Sequence, residues 1–173
     1  MDKRGFTLVE LLVVLAVGAI LLAIASPGYA FLVNSSRLAA ATNDVVTALQ
    51  LARSEAIKRG TRVTVCKSSN PMAASPACHT AASWQQGWLV FVDGGVRGAI
   101  DAGDTLLWVH GPLAAGAITA GSNFSDFVSY RSNGVSQGSG HLFNGKLHIC
   151  LGGNQRDVII SNTGRVRLES TSC

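Results

Sequence analysis

Arg165 and Arg167 stand two residues apart in the string Gly164-Arg165-Val166-Arg167 of a 173-residue chain. On a β-strand, residues i and i+2 share a face, which would put the two guanidiniums on one side, roughly 6.7 Å apart. A guanidinium is planar and permanently charged, and its fork of donors suits phosphate oxygens. Two readings are open at this point: contact with a phosphate backbone, or an edge strand that carries charge to discourage aggregation. Val166 and Leu168 alternate with the arginines and would face the core. Asn162-Thr163-Gly164 reads as a turn returning this strand beside residues 158–161, which pair in turn with residues 147–151 across Gly152-Gly153-Asn154. That layout puts Lys146 at the same end as Gly164 and Arg165, and Arg156 at the opposite end. Arg165, Arg167 and Lys146 would form a small basic ridge.

Glu10 is the second residue with chemical content. It sits at the start of a near-continuous apolar block, Leu11 to Ala25. A carboxylate inside a membrane-spanning helix is costly and needs hydration at the membrane edge or a cationic partner. A free amine at residue 6 of a neighbouring subunit, made by cutting after Gly5, would be such a cation.

Other combinations lead less far. Asp93, Gly98, Asp101 and Asp104 fall at positions one, six, nine and twelve of a calcium-type loop. Gly95 and Arg97 occupy its third and fifth positions, the flanks are β-prone, and a plain strand-connecting loop is the expected reading. The four cysteines, Cys66, Cys78, Cys150 and Cys173, contain no C-x-x-C pair. The four histidines (His79, His110, His141, His148) have no metal-ligand spacing to them, so no metal is expected. Four cysteines in an exported domain suggest two disulfides of three possible connectivities, and chain neighbours favour Cys66–Cys78 with Cys150–Cys173. Trp84 and Trp88, four apart, are expected in the core. No G-x-S-x-G, H-E-x-x-H or glycine-rich phosphate loop is present, and no spacing selects a Ser/His/Asp triad. Neither an enzyme nor a cofactor is expected.

These residues need elements to position them. Phe6 to Ala25 is about the 20 residues that cross a bilayer, and Lys3 and Arg4 mark the side that stays cytoplasmic. No small-residue signal-peptidase site follows the apolar run. The net charge is +4, and from Tyr29 onward 12 Lys and Arg face 8 Asp and Glu. This mild surplus permits an anionic partner. Beyond Pro27, Leu38, Ala41, Val45, Leu49, Ala52 and Ala56 step by three or four and make one helical face. Glu55 and Arg59 form an i,i+4 pair, and Lys58, Arg59 and Gly60 end the helix. Short β-prone runs follow at residues 61–67, 87–92, 106–110, 127–131, 147–151, 158–161 and 165–169. One long helix and then strands predict an α+β fold, with the helix laid on one face of an antiparallel sheet. The segments are 1–5 as leader, 6–28 as transmembrane and assembly helix, 29–60 as amphipathic half-helix, and 61–173 as β-rich domain.

Gly5-Phe6-Thr7-Leu8-Val9-Glu10-Leu11 resembles the class III signal of type IV pilins and type II secretion pseudopilins. The resemblance implies cleavage between Gly5 and Phe6 by a prepilin peptidase, N-methylation of Phe6, and an assembly role for Glu10 in packing with other pilins or pseudopilins. It also implies a kink or local unwinding near Pro27. Residues 51–60 (LARSEAIKRG), Val63-Thr64-Val65-Cys66 and residues 84–93 (WQQGWLVFVD) resemble the GspH/FimT branch of that family. The branch implies a single-pass inner-membrane protein with a periplasmic domain that later joins an extracellular fibre as a minor component. G-R-x-R near the C-terminus resembles the DNA-binding motif of the FimT-type minor pilins of natural transformation. It implies sequence-independent DNA contact through Gly164, Arg165 and Arg167, with Lys146 beside them. A structural or priming minor pilin that does not touch DNA, and an H-type minor pseudopilin of a type II secretion system, are the alternatives.

Overall fold

The structure, a computed structural model, describes residues 7–140 and 142–173. One helix, α1, runs over Leu8–Arg59. Thr7 caps its start: the hydroxyl accepts the Glu10 amide hydrogen at 3.2 Å, which satisfies one of the free donors of the first turn. Gly60 ends it in the left-handed conformation (φ 65°), where a side chain would be strained. Fifty-two residues at about 1.5 Å each give roughly 78 Å of helix. Helix continues through Pro27, so the local unwinding expected there does not occur. A proline deletes one backbone donor, and the hydrogen bonds of the flanking turns keep the segment helical.

The two halves of α1 differ in what they meet. Leu8, Leu11, Leu12, Leu15, Ile20 and Leu22 all lie more than half exposed, with no protein against them. In the second half the expected stripe of Leu38, Ala41, Val45, Leu49, Ala52 and Ala56 is buried, and Ala48 joins it. The alanines let the helix approach the strands closely. The larger residues contribute most: complete burial of a side chain such as Leu49 stabilises by about 1.5–3 kcal/mol.

The expected antiparallel strands are divided between two sheets. The first has the order β3-β2-β1-β5-β6, from Val63–Lys67 (β1), Trp88–Val92 (β2), Thr105–His110 (β3), Phe127–Tyr130 (β5) and Ser136–Gly138 (β6). The second has the order β4-β7-β8-β9, from Ala117–Ala120 (β4), Gly145–Leu151 (β7), Asn154–Ile160 (β8) and Val166–Ser172 (β9). The helix packs across both, on β1, β2 and β5 of one and on β7 and β8 of the other, and grazes β9. β4 and β6 had no place in the sequence reading. Ala-Ile-Thr-Ala and Ser-Gln-Gly carry too little apolar pattern to read as strands, and partner strands impose their extension.

Trp84, Trp88, Phe124 and Tyr130 fill the core beneath the helix, which accounts for the tryptophan pair. Trp84 Nε1 donates to the Phe124 carbonyl at 3.1 Å. Cys66 is bonded to Cys78 with Cα atoms 5.6 Å apart, and Cys150 to Cys173 at 6.0 Å. The first closes the long loop after β1. The second joins β7 to the residue that follows β9.

Candidate functional site

The three-strand unit β7-β8-β9 sets the register of the basic residues. Lys146 lies opposite Ile159, and Ile159 opposite Arg167. Directly opposed residues on antiparallel strands point to the same face, so Lys146, Ile159 and Arg167 form a row on the side away from the helix. Arg165 lies one residue before β9, not within it. Its backbone still pairs with Ser161, whose amide donates to the Arg165 carbonyl at 3.0 Å. It therefore continues the same face one step beyond Arg167. Asn144, Lys146, Ile159, Thr163, Arg165 and Arg167 line an open groove of about 710 Å³, with Ile159 as part of its apolar floor.

Arg156 lies at the far end of the unit, opposite Ser170, and also on the opposite face. It borders Phe31, Ser35 and Leu38 of α1. Leu168 shares the helix-side face with Val158, as expected, but is 48% exposed. β9 is the sheet edge and projects past the helix, so only Val166 reaches the core.

The turn that presents Arg165 is built, not merely permitted. The Gly164 amide donates to the Ser161 carbonyl at 2.8 Å, and Gly164 has φ 78°. A Cβ there would sit 2.0 Å from the Gly134 carbonyl oxygen. Glycine is thus required twice, for its backbone angle and for the close approach of the turn at residues 131–134. Arg53 of α1 staples the two turns. Its Nε donates to Gly134 O at 3.2 Å and its Nη2 to Thr163 O at 3.0 Å. Tyr130 packs under this junction. Burial pushes its hydroxyl well above the ordinary tyrosine value, and the Arg53 charge opposes that rise.

The three cations of the groove are not equivalent. Lys146 Nζ lies 3.4 Å from Asp157 and 3.9 Å from Glu169. Asp157 also takes hydrogen bonds from His148 Nδ1 and Gln155 Nε2, both at 2.7 Å. Burial raises the Asp157 carboxyl, but the His148, Gln155 and Lys146 bonds outweigh it and hold the group below its ordinary value. Arg165 and Arg167 are exposed and have no carboxylate partner among the described residues. Their charge is unneutralised, whereas that of Lys146 is shared.

The other sequence candidates resolve differently. Gly5 and Phe6 lie outside the described residues. Glu10 is exposed in the first turn of α1, where a carboxylate complements the positive helix end. In the loop after β2, Asp93 takes hydrogen bonds from Arg62, Thr64 and the Gly98 amide. Asp101 and Asp104 accept backbone amides of Val96, Gly94 and Asp101. The loop spends its carboxylates on itself, and among the described residues no metal-holding cluster of acids, histidines and cysteines occurs. Arg53 was missed as a site-building residue, although a lone arginine beside the buried Ala52 and Ala56 was a readable signal. Arg131, whose guanidinium lies over the Phe143 ring, gave no signal because a non-local loop contact joins the two.

An unsheathed apolar half-helix continued by an amphipathic half that packs on antiparallel sheet defines a pilin-like protein. The chain belongs to the GspH family: residues 41–164 match the family described as Type II transport protein GspH. Residues 1–26 match the prokaryotic N-terminal methylation motif. The fold resembles that of the type IV minor pilin FimU of Pseudomonas aeruginosa strain PAO1 in two crystal forms. In space group P21 the TM-score is 0.57 at 20% identity, covering 78% of this chain and 90% of that one. In P65 it is 0.55 at 20% identity, covering 75% and 90%. No curated protein matches the sequence. The protein is thus a pilin-like member of the GspH family, with an N-terminal methylation motif and one helix long and apolar enough to cross a membrane.

Proposed function

We propose that this protein is a minor type IV pilin that binds extracellular DNA through the groove between β7 and β9 and supports DNA uptake in natural transformation. The observation that carries the reading is the pair Arg165 and Arg167, exposed on one face without carboxylate partners and lining an open groove with Lys146. Arginine contacts to phosphate position the duplex without reading bases, so binding is weak and independent of sequence. In this reading prepilin peptidase cuts between Gly5 and Phe6. The domain then stands on the periplasmic side of the inner membrane and enters the fibre through packing of α1 with other pilins.

The test is a titration of the full chain in neutral detergent micelles with labelled duplex DNA at two salt concentrations. Two to three neutralised phosphates give a slope of log affinity against log salt of about −2 to −3. Arg165→Gln and Arg167→Gln each weaken binding and reduce that slope by about one, with the fold intact by circular dichroism. Arg156→Gln, on the other face, leaves it unchanged. A folded double variant that binds like wild type would establish the edge-guarding role of these arginines on β9. Absence of any salt-sensitive binding by wild type would favour a structural minor pilin or a type II secretion pseudopilin.

A further inference from the structure

Next in the chain to the groove-lining Asn144 stands an aromatic residue that the duplex reading does not use. Phe143 is 39% exposed beside the groove-lining Asn144, and the Arg131 guanidinium lies over its ring at 5.4 Å from the centroid. The backbone that carries Phe143 is held by hydrogen bonds on both sides. The Ser136 hydroxyl lies 2.6 Å from Phe143 O and 2.9 Å from Ser161 O, which ties that backbone to the turn that presents Arg165. Asn123 is buried, and its amide donates to Leu142 O at 2.7 Å and Asn144 O at 2.8 Å while its carbonyl accepts from the Leu142 amide. Arg131 donates to Gln137 Oε1 through Nε and Nη2, at 3.3 and 3.0 Å, and has no carboxylate partner among the described residues. A partly exposed ring with a Gln137-held guanidinium over it therefore stands beside the segment that lines the groove of Arg165 and Arg167.

A partly exposed ring offers a face on which a flat, apolar partner can stack. In a duplex, base faces are hidden in the stack, and a side chain beside the backbone cannot reach them. In a single strand they are open, and stacking on an aromatic ring or on an arginine plane adds to phosphate attraction without regard to base identity. We propose that Phe143 and Arg131 form a stacking platform that makes single-stranded DNA the preferred ligand of the groove, its phosphates on Arg165 and Arg167 and one base on Phe143. This rests on the DNA reading above and narrows it.

The test compares a labelled oligothymidylate, a duplex of equal length and an abasic strand of equal length, each titrated against the full chain in micelles. Wild type binds the oligothymidylate more tightly than the abasic strand. Phe143→Ala weakens oligothymidylate binding about tenfold, the loss of one stacked base, and changes duplex and abasic binding less than twofold. Phe143→Trp restores the strand preference, which a merely structural role of the ring would not do. A folded Phe143→Ala protein that binds all three probes like wild type, or weakens equally on all three, overturns the platform while leaving the arginine groove standing. If wild type binds none of the probes, the DNA reading fails and the platform falls with it.

Discussion

Gly164 and Lys146 show how differently two neighbours in one site can serve it. Gly164 touches no ligand in the proposed mechanism, yet it alone permits the turn that carries Arg165. Gly164→Ala combines a left-handed backbone with a collision on Gly134 O, so it destabilises the protein by about 1–3 kcal/mol and weakens DNA binding. Chemical denaturation followed by circular dichroism reads the first effect, and a parallel titration the second. Lys146 shares its charge with Asp157 and Glu169. Glu169→Gln should release part of it, tighten duplex binding and steepen the salt slope, while stability changes by less than 1 kcal/mol because that pair is exposed. An unchanged or shallower slope would exclude Lys146 from the phosphate contacts. Asp157 gives the site a pH signature. Its folded carboxyl titrates below the ordinary value near 4, so its contribution to stability is complete above that value and fades as pH falls through the lowered one. Asp157→Asn should therefore flatten the loss of stability between about pH 5 and pH 2 in acid denaturation curves.

At the scale of elements, much was legible and the reasons are specific. The Leu38 to Ala56 stripe, the Gly60 stop and the β7-β8-β9 unit were readable because each is a local pattern: helical period, a terminating glycine, strands separated by turn residues. The end at which Lys146 stands relative to Arg156 followed from counting along that unit. What escaped was non-local. Division into two sheets, the strands β4 and β6, and the staple from Arg53 to Gly134 and Thr163 depend on segments distant in sequence, and no spacing encodes them. Leu168 was placed on the right face but not in the core, because alternation gives direction and not the width of the helix above. The Cys150–Cys173 bond belongs to this scale as well. Replacing both cysteines with serine should cost about 2–4 kcal/mol and raise amide exchange in β9 more than in β7, measured by hydrogen exchange.

At the scale of the whole molecule, the exposed apolar half of α1 packs against no other described residue and is suited to lipid or other helices as its surroundings. If Gly5 is the cleavage point, mass spectrometry of protein from the native host finds a methylated Phe6 start. An intact Met1 on most assembled protein would refute that. Glu10→Ala should leave cleavage largely intact and lower incorporation into fibres, because it removes the carboxylate proposed to meet the new amine. Normal incorporation would assign Glu10 only its place in the first helical turn.

Under the proposed function, the bond between Cys150 and Cys173 would also set the route of mechanical load: a retracting fibre would pull through α1, and DNA held at the groove would pull back through Arg165 and Arg167 at one end of β9. Among the described residues β9 is hydrogen-bonded into its sheet along β8 alone, so without the cross-link tension could peel it away one hydrogen bond after another. Cys173 follows the far end of β9 and is bonded to β7, the second strand inward. Tension that strips β9 thus stops at a covalent tether into the strand beneath the helix. In optical-trap pulling from the N-terminal helix against a handle on residue 165, the oxidised protein should carry the load from Cys150 through Cys173 and β9 to the handle. The reduced protein should lose β9 pairing at lower force and reach a greater extension, because the whole span from Cys150 to residue 165 is then free to stretch. Identical extensions in the two states would show that β8 pairing alone carries the load.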